Sequence, residues 1–162
     1  DANGEKAVPK RDLSLLTRNQ TLKTWCPGIS QFDELMDLGA DSKSKWYDDQ
    51  HFAVRVAYQC PVEIEFKGNK GEALCNTLED ALVMENQALF AAHTGKGLWT
   101  KFKKAIEQCG DLDSLSKAVL DALDNGGKAE FALNLLELEN PKELQPPFYI
   151  ESWFAPALCC QN

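Results

Sequence analysis

Six cysteines place the first constraint on this chain. Cys26, Cys60, Cys75, Cys109, Cys159 and Cys160 are spread along its 162 residues. An even number at wide spacing reads as a disulfide framework, which forms and persists in oxidising compartments. A structural zinc site fits less well, because it uses paired ligands at short spacing with histidines nearby. Only Cys159 and Cys160 are close, and a bond between neighbours is strained because disulfide geometry wants separated backbones. The vicinal pair is therefore expected to tie the C-terminal segment to two different elements. The expected compartment is secreted or extracellular.

Two further features agree with that compartment. Asn19-Gln20-Thr21 is an N-glycosylation sequon, which belongs on an exposed segment of a secreted glycoprotein. Lys10-Arg11 is a dibasic pair of the kind secretory convertases cut after, although two surface charges on a loose terminus explain it equally well. Residues 1–11 are polar, contain Gly4 and Pro9 and show no periodicity, so they read as a flexible leader or propeptide remnant. Residues 12–162 are then one globular domain, in line with ordinary domain size. The start, Asp1-Ala2-Asn3-Gly4-Glu5-Lys6, lacks the apolar stretch of a signal peptide, so the expectation is that the signal is already removed.

Charge excludes some partners. With 25 acidic and 17 basic residues the net charge is −8. Nucleic acid and anionic lipid both demand a basic face. No nucleic-acid or membrane partner is expected. Lys96, Lys101, Lys103 and Lys104 cluster, but they read as the solvated side of a helix. No apolar run reaches the ~18 residues that span a bilayer.

The hydrophobic pattern predicts an α+β fold: a small antiparallel sheet and about five helices, concentrated after residue 75 and stapled by disulfides. Ser30 followed by Asp33 suggests a capped helix over 31–38. Residues 39–50 read as a polar loop anchored by Trp46 and Tyr47. Phe52, Val54, Val56 and Tyr58 alternate as a strand with one buried face, and Val62, Ile64 and Phe66 alternate as a second. Gly68 to Gly71 reads as the turn that ends it. Asn76 with Glu79 suggests a helix start, followed by apolar helical spacing up to Thr94-Gly95. Leu98, Phe102, Ala105, Ile106 and Cys109 form a helical stripe. Leu115, Val119, Ala122 and Leu123 form another behind a cap at Asp111 or Asp113. A last helix is expected over 128–139. The aromatic tail Phe148, Tyr149, Ile150, Trp153 and Phe154 is expected to be extended and mostly buried. If exposed, Tyr149, Trp153 and Phe154 would instead form a partner-binding patch.

Catalytic signals are sparse. His51 follows Asp48 and Asp49, which reads as a solvated loop before it reads as a metal site. His93 ends a helix, where the dipole favours a cation. Two histidines could in principle support acid–base phosphodiester cleavage, but nothing in the sequence fixes their separation. Six evenly counted cysteines are structural before one is a nucleophile. Thr94-Gly95-Lys96-Gly97 lacks the spacing and ending of a phosphate loop. No metal or cofactor is expected. Tyr58-Gln59-Cys60 matches an aromatic-x-Cys triplet found in some small secreted fungal effectors, but this chain is longer and more helical, and the triplet assigns no family.

The leading functional expectation is a secreted, non-enzymatic protein-interaction domain, such as an effector acting on another organism's proteins, with a host protein as partner. The first alternative is a carrier of a small apolar ligand in a cavity lined by Leu82, Leu89, Phe102, Ile106, Val119 and Leu123. The second is an enzyme with an unrecognised site.

Overall fold

The computed structural model describes residues 8–11, 15–17, 19–26, 28–39, 41–49 and 51–152. In chain order they form α1 (Gln20–Trp25), α2 (Phe32–Met36), β1 (Ser44–Tyr47), β2 (Phe52–Arg55), β3 (Val62–Phe66) and β4 (Asn69–Ala73). Then come α3 (Leu78–Glu85), α4 (Gln87–Ala92), α5 (Leu98–Gln108), α6 (Leu112–Asp124), α7 (Lys128–Leu136) and a 3-10 turn at Pro141–Glu143. Residues 148–152 are helical. The expected α+β class holds, with most helices after residue 75. The single sheet does not: β1–β2 and β3–β4 are two separate antiparallel hairpins.

The β3 alternation works as expected, with Ile64 and Phe66 buried and Glu63 and Glu65 exposed. Its turn is tighter than the glycines suggested. Lys67 and Gly68, at φ 49° and 81°, make the whole connection. Two positive φ angles match the right-handed strand twist of a two-residue hairpin, and glycine supplies one without strain. Asn69 therefore already pairs with Phe66 as the first residue of β4.

The helices cap themselves close to the expected positions. Thr77, one residue after Asn76, is the N-cap of α3, exchanging bonds with Asp80. The short Asp80 carboxylate also accepts from the Asn76 and Ala81 N–H groups, so one side chain satisfies three backbone donors. Asp111 caps α6 through Ser114. The expected run from 78 to 94 splits at Asn86. Its amide nitrogen donates to the Leu82 and Gln145 carbonyls, and its oxygen accepts from Gln145 N–H. That exchange anchors the later chain and ends α3.

The main core is built on four aromatics. The rings of Phe90 and Trp99 lie 4.5 Å apart, Phe90 and Phe131 5.8 Å, and Phe102 meets Phe131 edge-on at 5.4 Å. Leu82, Ile106, Val119 and Leu123 join them in one cluster with Phe102, and Leu89 is also buried. These residues fill the core instead of lining a large cavity. The hollow that reaches Val119 holds only ≈ 10 Å³, about the room of one water.

A second, smaller cluster joins Leu22, Cys26, Leu35 and Tyr58. The Tyr58 hydroxyl donates to the buried Leu35 carbonyl. Gln31, not Ser30, is the N-cap of α2. The Ser30 carbonyl is instead taken by Thr17 N–H, and Phe32 N–H goes to Leu15, forming a short bridge between the two segments.

Candidate functional site

Residues 39–50 are not simply a loop. Trp46-Tyr47 and Phe52-Ala53-Val54 flank a polar turn and pair as β1 and β2, in the register Lys45–Val54, Trp46–Ala53 and Tyr47–Phe52. β-prone residues on both sides of Asp48-Asp49 were the available signal. Nor is the 51–58 face buried. All four residues of β2 are exposed, and no third strand joins the hairpin among the described residues. Beyond the end of β2, Tyr58 is buried in the smaller core and Val56 packs against it.

Alternation in a strand puts Lys45, Tyr47, Phe52 and Val54 on one face and Ser44, Trp46, Ala53 and Arg55 on the other. The first face leans toward α1, where the Lys45 ammonium sits 4.5 Å from the centre of the Trp25 ring. Tyr47 and Phe52 stack there at 5.0 Å. The opposite face carries Trp46, 71% exposed. Arg55 lies on the same face, exposed and without a carboxylate partner among the described residues. Lys43 adds a third cation at the base of the hairpin, over the Tyr58 ring at 4.6 Å. A chain of net charge −8 thus presents an aromatic and cationic surface here.

A cleft of ≈ 610 Å³ opens between the smaller cluster and the start of α3. Leu15, Phe32, Met36, Tyr58, Cys75 and Tyr149 contribute to its wall. Burial raises the Tyr149 phenol above its ordinary pKa, and Asp80, Cys75, Glu79 and Glu85 reinforce the rise. Burial likewise raises the Cys75 thiol. A thiol held protonated is a poor nucleophile. Asp80, also raised by burial, is occupied by four donors of its own helix start.

The structure separates the remaining expected residues. Cys26 is buried in the smaller cluster and Cys60 donates to the Tyr58 carbonyl, so these two cysteines flank Tyr58. Cys75 and Cys109 border the main core. Cys26, Cys60, Cys75 and Cys109 are free thiols, so no staple is present among the described residues; Cys159 and Cys160 lie outside them. Asn19 is exposed and is the N-cap of α1, its side-chain oxygen accepting from Leu22 N–H at 3.2 Å. Lys10 pairs with Asp113 and Arg11 with Asp37. Residues 148–152 are helical where an extended segment was expected. Phe148 is exposed while Tyr149 and Ile150 are half-buried. The turn begins at the buried Pro147, whose carbonyl accepts from Ile150 and Glu151. The patch residues Trp153 and Phe154 lie outside the described residues.

The histidines do not converge. His51 occupies the exposed β1–β2 turn at φ 54°. His93 closes α4 and meets Glu143 at 3.1 Å. No cluster of three histidine, cysteine or acidic ligands occurs among the described residues. No helix among them is long and apolar enough to cross a membrane. Comparison with protein-family models, with curated proteins and with solved structures returns no match.

Proposed function

We propose that this chain is a secreted, non-enzymatic protein-interaction domain whose docking surface is the outer face of the β1–β2 hairpin. The observation that carries the reading is Trp46, 71% exposed on a two-stranded hairpin that no third strand joins among the described residues. Tryptophan and arginine dominate binding hot spots because they combine large buried area with a directional polar group. Burying one tryptophan removes about 150–250 Å² from water, worth roughly 4–6 kcal/mol before association costs. The fitting partner is a protein with an apolar pocket for Trp46 and a carboxylate at its rim for Arg55. The compartment is inferred from the even count and wide spacing of the six cysteines, while Cys26, Cys60, Cys75 and Cys109 are free thiols in the structure.

The test uses an aromatic photo-crosslinker in place of Trp46, on protein added to the extracellular fluid it meets. A single partner, captured also by wild type and lost with Trp46→Ala and Arg55→Glu, supports the reading. A partner retained by both variants refutes it. Mass spectrometry of the unreduced protein tests the compartment, and six free thiols contradict it. A second reading, a carrier of a small apolar molecule, draws support from the ≈ 610 Å³ cleft, within the size range of ligand sites.

A further inference from the structure

Val8 and Pro9 sit over the seam between α3 and α6. The small hollow beneath them is bordered by Leu74, Met84, Val119 and Leu120, and Pro9 also borders the larger cleft beside Leu15 and Tyr58. Pro9 is buried and Val8 half-buried. Leu74 and Leu120 are buried too, yet belong to neither apolar cluster. Part of their cover is this N-terminal pair.

The next two residues behave differently. Lys10 and Arg11 are exposed. The Lys10 ammonium bonds both Asp113 oxygens at 2.9 Å, and Arg11 reaches Asp37 at 3.1 Å. Asp113 belongs to α6 and Asp37 ends α2. The segment therefore bridges the main core and the smaller cluster with its apolar half inserted and its dibasic half accessible.

We propose that residues 8–11 are a removable plug, released when a dibasic-specific endoprotease hydrolyses the Arg11–Asp12 peptide bond. Water adds across the amide, leaving a carboxylate on Arg11 and an α-ammonium on Asp12, so no oxidant or cofactor is needed. Each contact is individually weak: an exposed ion pair shifts an equilibrium by only a few-fold. Covalent connection supplies an effective concentration in the millimolar range, and cutting it removes that advantage. The plug then leaves, and the Leu74–Leu120 seam opens together with the adjoining cleft. The proposal is independent of the hairpin reading, which rests on other elements.

The test treats the folded full chain with a purified dibasic-specific serine endoprotease and follows intact mass. The expected result is one cut after Arg11, abolished by Arg11→Ala. The freed peptide should separate from the body on native gel filtration, and the body should still unfold cooperatively. Binding of an apolar fluorescent dye should rise several-fold after release. Asp113→Asn should speed cutting roughly two- to fivefold, the weight of one exposed ion pair. Resistance of the folded chain at Arg11, co-elution of peptide with body, or unchanged dye binding after the cut would each overturn the proposal.

Discussion

Phe131→Ala should be among the most damaging single changes in the molecule. Phe131 is 1% exposed and is the one buried residue of α7. Its ring meets Phe90 at 5.8 Å, Trp99 at 6.3 Å and Phe102 at 5.4 Å. Phenylalanine-to-alanine changes in cores cost roughly 3–5 kcal/mol, more where the site cannot collapse. Three rigid rings around this void resist collapse, which places the expected loss in the upper half of that range. A typical domain is stable by only about 5–15 kcal/mol. Urea denaturation followed by tryptophan fluorescence measures the loss, with Trp99 reporting locally. Leu136→Ala, also on α7 but 80% exposed, is the control and should fall within about 0.5 kcal/mol of wild type. A Phe131→Ala loss below about 1 kcal/mol, with an unchanged denaturant slope, would refute the aromatic-core account.

The smaller cluster, the sequon and the acid pattern give three more expectations. Tyr58→Phe removes the hydroxyl bond to the buried Leu35 carbonyl, which keeps the Leu38 N–H, and should cost about 0.5–1.5 kcal/mol, read in the same urea titration. Asn19→Asp should abolish glycosylation, seen as loss of the glycosidase-sensitive mass shift, while keeping stability within a few tenths of a kcal/mol because aspartate caps a helix as well as asparagine. The Glu85 carboxyl is raised by burial, opposed by its bond from Phe148 N–H and reinforced by Glu151. The folded state thus holds this proton more tightly than the unfolded chain. Its stabilising contribution is full below the ordinary glutamate pKa of about 4.3 and is lost as pH rises through the folded value. Glu85→Gln should flatten the fall in stability above pH ~4. A pH profile parallel to wild type would contradict that assignment.

The helical half was legible because its signals are local. Leu98, Phe102, Ala105 and Ile106 state the buried face of α5, and Asp111 announces α6, within a few residues of sequence. The β1–β2 region misled because alternation records which residues share a face, not whether anything covers it. Phe52 and Val54 alternate well, yet both are exposed and no third strand joins their hairpin among the described residues. The same limit applies to the tail, where five apolar residues in a short span suggested burial but Pro147 starts a helical turn with Phe148 outside. The split at Asn86 was hidden for another reason: its partner, Gln145, is 59 residues away. The cysteine count suggested a disulfide framework, yet Cys26, Cys60, Cys75 and Cys109 are free thiols in the structure.

The hairpin reading stands or falls on one comparison, the affinity of wild type and Trp46→Ala for the partner captured through position 46, measured by calorimetry at matched salt. Trp46 is 71% exposed, so the variant should melt close to the wild-type temperature. Loss of a central hot-spot tryptophan costs 2 kcal/mol or more, roughly a 30-fold weaker Kd, and Arg55→Glu should weaken binding with a reduced salt dependence. Unchanged affinity in a folded Trp46→Ala protein would show that the exposed hairpin is not the docking surface.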